Sequence, residues 1–328
     1  MQDILTCVMG LDVHRDIIVA CLAKGELGTD PEIEIRSFST LIPEMQKLRD
    51  WVLEADCHHV AMESTGIYWQ PIYEMLELCF DGQINILVVN ARHMKNVPGR
   101  KTDMRDAQWI ATLLRAGLLK GSFIPDKTFR ELRHLTRYRK SIVHDITAQK
   151  NRIDKFLQSS GFRFAAFLSD TFGASGRNII RHLMEYGSIS REALDKCLKT
   201  QTRKRIDEIL IALNGSLSEH QRGFLRMIFE HLEALEQHRH SVENAIAEEI
   251  TKHEKALSLL CSIPGIDVTA AAAIIAEIGT DMSAFPDSQH ICSWAGLSPG
   301  NNESAGKRKS AHINKGNPYL KSMLCEVG

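Results

Sequence analysis

Two aspartates stand three residues apart in the most basic part of the chain. Asp103 and Asp106 lie in the segment GRKTDMRDAQWI. The cations of that segment are Arg100, Lys101 and Arg105. Positions i and i+3 of a helix share one face, so both carboxylates are predicted to point the same way. Carboxylates suit a divalent metal ion and the neighbouring cations suit a polyanion, so this stretch favours chemistry on phosphates.

Two further acids are predicted at the ends of strands, which are common site positions in α/β sheets. Asp12 ends the apolar segment ILTCVMGLD, and Glu63 lies near the end of HHVAMES. Each of the four acids taken alone has a structural explanation, as a helix cap or a turn residue. Four carboxylates at one point would repel each other unless two metal ions, about 4 Å apart, neutralised them and bridged a phosphodiester. We therefore predict a site of Asp12, Glu63, Asp103 and Asp106 for two Mg²⁺ ions, with Mn²⁺ as a substitute.

The elements that must position these acids follow an α/β pattern. Strands are predicted at residues 4–12, 16–23, 32–38, 58–64 and 84–90, and helices at 43–55, at 71–80 and from Thr102. Short connections between the first three strands predict an antiparallel meander. Three strands followed by alternating helix and strand predict an α/β sheet of about five strands.

Beyond residue 127 the pattern is almost entirely helical. From Phe224 to Leu257 apolar residues recur with a period close to 3.5, which predicts a long helix or a coiled coil. His238 and His253 interrupt this stripe. A helix packed inside its own domain and an intermolecular coiled coil both fit the pattern.

The segment SIPGIDVTAAAAIIAEIG, residues 262–279, places Pro-Gly between two helical patterns. It resembles the helix-hairpin-helix element that holds DNA backbones through free N–H groups at a helix start. Asp267 stands where that element has its second glycine, and an acid is unfavourable beside a phosphate. A DNA contact and a purely structural hairpin both remain open.

Charge is unevenly distributed in a chain of 328 residues with a net charge of −1. From Arg92 to Lys155 there are sixteen Lys or Arg against six Asp or Glu. A second basic cluster near the C-terminus includes Lys307, Arg308 and Lys309. Two basic segments in a near-neutral chain favour a polyanionic partner.

The eight cysteines contain no C-x-x-C pair, so reduced thiols in a cytoplasmic protein are expected and a zinc site is not. No apolar run approaches the roughly 20 residues that a membrane helix needs.

Five segments carry a resemblance to one family, the DEDD-type bacterial insertion-sequence transposases. MGLDVHRD, VAMESTGIYWQP and KTDMRDAQWIATLL resemble the family's N-terminal domain, which has the RuvC/RNase H fold. LLCSIPGIDVTAAAAIIAEIG and ICSWAGLSPGNNESAGKRKSAHINKGNPYLK resemble its C-terminal transposase domain. The resemblance runs from about residue 5 to the end. It implies a catalytic domain at 1–125, a helical coiled-coil region for RNA binding and oligomerisation at 126–256, and a transposase domain at 257–328.

The same resemblance implies a reaction. The four acids would form the metal site, and Ser304 would attack a DNA phosphate to form a covalent serine–DNA intermediate. The acids of one subunit and the serine of another would share a composite site. A structured non-coding RNA, the bridge RNA, would pair with donor and target DNA, and the protein would be a dimer or tetramer.

From the residues alone the case for Ser304 is weaker. Serines in Gly-Asn-rich loops usually serve turns. Other serines near it are Ser298, Ser310 and Ser322. The cations expected to contact nucleic acid are Arg100, Lys101, Arg105, Lys307, Arg308 and Lys309.

Two other functions fit the sequence. A Holliday-junction-type nuclease would use the acids and a metal-activated water, without the serine. A catalytically silent nucleic-acid-binding protein would bind without metal and cleave nothing.

The chain also ends at Gly328 inside an apolar helical pattern, which favours a shortened C-terminal domain.

Overall fold

The computed structural model describes residues 4–64, 66–90, 106–298, 302–304, 307–310, 313 and 316–327, with the backbone alone over 302–310. The chain divides into two compact units, Met1–Ile124 and Pro125–Gly328, called here the sheet unit and the helical unit. Among the helices in these ranges, none combines the length and the hydropathy needed to cross a bilayer.

A five-stranded sheet, in the order β3-β2-β1-β4-β5, organises the sheet unit. The strands are β1 (Cys7–Val13), β2 (Ile17–Lys24), β3 (Glu32–Ser39), β4 (His59–Glu63) and β5 (Asn85–Val89). The first three strands pair antiparallel, whereas β4 is parallel to β1 and β5 is parallel to β4. The mixed α/β sheet predicted from the order of the elements is thus confirmed.

Helices cover both faces of this sheet. They are α1 (Ile42–Glu54), α2 (Trp69–Leu76) and α3 (Asp106–Arg115). Alternate residues of β1 serve opposite faces, as the twofold period of a strand requires. Met9 and Leu11 belong to the core beneath α1 and α2, and Val8 belongs to the core beneath α3. Because β1 is buried on both sides, its sequence is a nearly continuous apolar run.

Helix α3 packs directly on the backbone of β1 at Gly10. A Cβ at Gly10 would lie 2.2 Å from the carbonyl oxygen of Ala107 and 2.4 Å from the backbone nitrogen of Ala111. At the other end of the helix, the Ile4 N–H donates to the Arg115 carbonyl at 2.9 Å. Helix α3 therefore runs antiparallel to β1, and its first residues lie at the carboxyl end of that strand.

Two long antiparallel helices, α4 (Lys127–Ser159) and α9 (Glu219–Ile250), form the centre of the helical unit. Their direction follows from two contacts, since Phe156 packs on Phe224 and Arg139 binds Glu243. Shorter helices pack beside them. These are α5 (Ala174–Tyr186), α6 (Arg191–Cys197), α7 (Thr200–Arg203) and α8 (Ile206–Ala212).

The apolar stripe predicted from Phe224 onward faces α4 within the same unit. Ile228, Leu232, Val242 and Ile246 are buried in a core that α4 shares. The helix therefore packs inside its own domain, which is one of the two arrangements that the sequence allowed. The stripe is not one helix to Leu257, because a turn at Thr251–His253 separates α9 from α10 (Glu254–Cys261).

The remaining elements follow α10. They are α11 (Val268–Ile278), α12 (Ser288–Ala295), the hairpin strands β6 (Asn302–Ser304) and β7 (Lys307–Ser310), and α13 (Pro318–Val327). Ile274, Ala295 and Leu320 form their shared core. The sequence predicted a purely helical end, so the two-stranded hairpin is a correction.

We expect Gly10→Ala to lower the free energy of unfolding of the sheet unit by about 3 kcal/mol, because the new methyl group overlaps the α3 backbone. The matched control is Gly223→Ala inside α9, where a Cβ meets nothing within 4 Å. That change should raise helix stability by up to about 1 kcal/mol. Urea unfolding followed by circular dichroism measures both. A Gly10→Ala protein within about 0.5 kcal/mol of the parent would contradict the close packing.

Candidate active site

Asp12 and Glu63 lie side by side at the carboxyl ends of two neighbouring parallel strands. The β1–β4 register pairs Leu11 with Met62, and the two acids are the next residue of each strand. Adjacent strands of a sheet are about 4.8 Å apart, so this register places the two acids at neighbouring positions of the edge. Both side chains are half-buried. Carboxylate oxygens on neighbouring strand ends are suited to hold a divalent cation together.

Both acids face the α3 side of the sheet. Asp12 lies two residues after Gly10, the residue on which α3 packs, and alternate strand residues share a face. Glu63 has the same relation to Ala61, which belongs to the core beneath α3. Asp106 is the first residue of α3 and is exposed. The structure thus brings three of the four predicted acids to one edge of the sheet.

The carboxylate of Asp12 already has one polar neighbour. Its Oδ2 lies 3.2 Å from Nε2 of His14, and the two side chains are 13% and 57% exposed. His14 was not predicted at the site, although it follows Asp12 by two residues and therefore shares its face. Four predicted residues, Asp103, Arg100, Lys101 and Arg105, lie outside the described residues.

The donor set fits Mg²⁺ or Mn²⁺ in chemical type, because Asp12, Glu63 and Asp106 all offer hard carboxylate oxygens. Within the described ranges no group of three or more His, Cys, Asp or Glu side chains is close enough together to hold a metal ion. Among the described residues, Asp12 and Glu63 are two adjacent candidate ligands and Asp106 is a third acid at the start of α3. Asp103 lies outside the described residues. All eight cysteines are free thiols, as expected.

Ser304 is the last residue of β6, and its backbone pairs with that of Lys307 in β7. Arg308 pairs with Glu303, and Lys309 follows in the same strand. The hairpin therefore carries the predicted nucleophile and the three predicted cations in one short ribbon. Ser310 pairs with Asn302 at the open end of the hairpin, away from its tight connection.

Asp267 has a structural role in the 262–279 segment. Its Oδ1 accepts a hydrogen bond from the Ala270 N–H at 2.7 Å, so it caps the start of α11. A helix start capped by its own carboxylate offers fewer free N–H groups and less positive potential to a phosphate. Of the two interpretations that the sequence left open, this contact favours the structural one.

Several cations of the basic stretch are paired inside the helical unit. The pairs are Arg137 and Arg133 with Glu277, Arg139 with Glu243, and Lys150 with Glu236. Part of the charge that predicted a polyanion partner therefore joins α4 to neighbouring helices. The acids that neutralise these cations lie far from them in the sequence.

Sequence reasoning missed Glu277, which is only 2% exposed. Its signal was a lone acid in the otherwise apolar α11, together with Arg133 and Arg137 at the i, i+4 spacing that gives one helix face. Burial lowers the pKa of the Arg133 guanidinium to about 10, and Glu277 opposes that shift. The guanidinium keeps its charge at neutral pH.

Comparison with known proteins supplies the family. The model of a transposase family, DEDD_Tnp_IS110, matches residues 9–161, and that of the transposase IS116/IS110/IS902 family matches residues 257–328. "Putative transposase y4qE" of Sinorhizobium fredii is 25% identical over 69% of this chain and 47% of its own length. "Insertion element IS110 uncharacterized 43.6 kDa protein" of Streptomyces coelicolor is 26% identical over 69% of this chain and 60% of its own length.

Two family models thus match in order, one over most of the sheet unit and the whole of α4, the other from within α10 to the end. The chain belongs to the IS110 family of DEDD transposases, as the sequence motifs predicted. It spans about half the length of one curated relative and about three fifths of the other.

We expect Asp267→Ala to destabilise the helical unit by about 1 kcal/mol, because the N–H of Ala270 loses its cap. Asp267→Ser keeps a capping oxygen and should cost only a few tenths of that. Urea unfolding of both variants, followed by circular dichroism at 222 nm, tests the assignment. Equal stability of Asp267→Ala and the parent protein would show that the cap contributes nothing.

Proposed function

We propose that this chain is a DNA transposase and recombinase of an insertion sequence, which cleaves and exchanges DNA strands with the help of divalent metal ions. The observation that carries the proposal is the position of Asp12 and Glu63. They are adjacent in register, half-buried and on the face that α3 covers. Polar residues at the carboxyl ends of parallel strands are common site positions in α/β sheets, and carboxylate oxygens at such an edge suit a divalent cation.

In this proposal Asp12, Glu63, Asp103 and Asp106 hold two Mg²⁺ ions. When bound, the ions supply Lewis acidity and neutralise charge on the phosphodiester. The protein's own contribution is placement. Two ligands are fixed on parallel strands and one on the first turn of α3, whose N-terminal dipole favours the same negative groups. His14 holds the Asp12 carboxylate by a hydrogen bond and so limits its rotation.

Ser304 is the proposed nucleophile. Its Oγ forms a bond to phosphorus and gives up its proton, while the bond from phosphorus to the leaving deoxyribose oxygen breaks and that oxygen takes up a proton. Lys307, Arg308 and Lys309 would offset the charge of the phosphate. As the family resemblance implies, the acids of one copy and Ser304 of another would act on one phosphodiester, so the active form is a dimer or tetramer.

The mixed sheet order supports a RuvC/RNase H-like assignment for residues 1–125. Residues 126–256 form the proposed helical region for RNA binding and oligomerisation, and residues 257–328 form the proposed transposase domain. The proposed partners are donor DNA, target DNA and a structured guide RNA that supplies sequence specificity by base pairing. The cations at Arg100, Lys101 and Arg105 would contact these strands, and the protein would act in the cytoplasm.

The test is adduct formation on a denaturing gel. Purified protein is mixed with Mg²⁺, donor and target DNA and the RNA encoded beside its gene. We expect a covalent protein–DNA band with the parent protein, no band with Ser304→Ala, and a loss of at least about a hundredfold with Asp12→Asn. The matched controls are Ser310→Ala on the partner strand and Asp16→Asn in the β1–β2 turn, which should keep the band.

Other outcomes separate the alternatives. DNA cleavage without an adduct, unchanged in Ser304→Ala but lost in Asp12→Asn, would replace the recombinase by a junction-type nuclease. Binding without metal and without any cleavage would indicate a catalytically silent nucleic-acid-binding protein. Adduct formation that does not need the RNA would remove guidance from the proposal and leave the serine chemistry.

A further inference from the structure

The segment that carries Ser304 begins and ends at one point of the helical unit. It follows Gly296 at the end of α12 and ends at Gly316 before α13; residues 297–315 are called here the serine loop. The Asn317 N–H donates to the Trp294 carbonyl at 3.0 Å. A Cβ at Gly316 would lie 2.2 Å from the backbone nitrogen of Gly296. The two ends of the loop are therefore in backbone contact.

Asn317, which follows the serine loop at its C-terminal end, makes several hydrogen bonds. Its side-chain Oδ1 accepts from the N–H groups of Tyr319 and Leu320 at 3.0 and 3.1 Å, which caps α13. Its Nδ2 donates to Oε2 of Glu277 at 2.6 Å. The amide thus has its acceptor fixed by α13 and its donor fixed by α11, which leaves it one orientation.

Glu277 is in turn held by α4. Arg137 donates to both of its carboxylate oxygens, at 2.7 and 2.8 Å, and Arg133 Nε lies 3.2 Å from Oε2. Arg133 also donates to the carbonyls of Ala276 and Glu277 at the end of α11. The Arg137 guanidinium stacks on the ring of Tyr319, 4.3 Å from its centre. A bidentate, charge-assisted pair of this kind fixes geometry as well as energy.

We propose that Glu277 and Asn317 are positioning residues for Ser304: the buried carboxylate, held by α4, fixes the exit of the serine loop against its entry at Gly296. This rests on the proposed function, in which Ser304 is the nucleophile. A buried ion pair is a poor source of net stability, since its desolvation offsets its attraction, but it holds one geometry strictly. A nucleophile on a hairpin needs that geometry, because a misplacement of about 1 Å costs about a hundredfold in rate.

The critical change is Asn317→Asp. The new carboxylate keeps the cap of α13 but meets the Glu277 carboxylate where the amide N–H stood. The double change Asn317→Asp with Glu277→Gln removes the contact between two carboxylates and lets the new amide donate to the new carboxylate, although the hydrogen bonds that Oε2 accepts from Arg137 and Arg133 are then lost. The control Arg181→Gln breaks a half-exposed pair with Glu233 elsewhere in the unit. All are compared as full chains whose α4 and α9 exchange deuterium as in the parent protein.

Hydrogen–deuterium exchange of peptides within 297–317 measures how firmly the serine loop is held. The adduct gel measures the effect on the reaction. We expect Asn317→Asp to speed exchange about tenfold or more in these peptides and to reduce the adduct by at least as much. The double variant should recover part of the loss in both measurements, because the contact between two carboxylates is gone, and Arg181→Gln should change neither. Recovery in the double variant separates positioning from a general loss of structure.

Two results would show that Glu277 and Asn317 do not hold the serine loop. One is unchanged exchange at 297–317 in Asn317→Asp; the other is a double variant that stays as impaired as the single one. An adduct absent even from the parent protein, with the exchange pattern as expected, would reject the serine chemistry and with it a positioning role for catalysis. An adduct that is normal in every variant despite faster exchange would reject the positioning role while leaving the serine chemistry intact.

Discussion

The close approach of α3 to Gly10 is the contact on which the candidate site depends. With no side chain at Gly10, the helix backbone lies against the strand, and its antiparallel course brings Asp106 to the edge where β1 and β4 end. The parallel pairing of these strands places Asp12 and Glu63 next to each other at the same edge. A larger residue at position 10 would move the helix outward and separate the acids, so one glycine links core packing to the proposed chemistry.

A second constraint is the use of charge inside the helical unit. The long helix α4 carries many cations on a chain that is nearly neutral, and several of them bind acids of α9 and α11. Exposed pairs of this type add little stability, whereas the buried Glu277 with its two arginines fixes how α11 and α13 sit on α4. Charge counted along a sequence therefore overstates what is available to DNA or RNA, because the partners of these cations come from distant parts of the chain.

Sequence patterns predicted the sheet well, because period-two apolar runs and short turns specify strands locally. They also marked Asp12 and Glu63, since polar residues at the ends of buried strands are conspicuous. They did not predict the hairpin at Ser304, which is too short for a periodic signal, or the end of α9 at Ile250, where the apolar stripe continues through a turn. The pairing of Glu277 with Arg133 and Arg137 needs residues some 140 positions apart, and no local pattern specifies that. The choice between packing within the chain and a coiled coil between chains also required the fold.

The acids at the β1–β4 edge are proposed to form a metal site, and Mn²⁺ titration followed by electron paramagnetic resonance measures whether they bind metal ions. Asp106→Asn and Glu63→Gln remove one proposed ligand charge each, while Asp16→Asn removes an exposed acid of the β1–β2 turn that is not a proposed ligand. We expect about two bound Mn²⁺ ions in the parent protein and in Asp16→Asn. In Asp106→Asn and Glu63→Gln the affinity for Mn²⁺ should be at least about tenfold weaker. Equal Mn²⁺ affinity in all four proteins would contradict the proposed metal site.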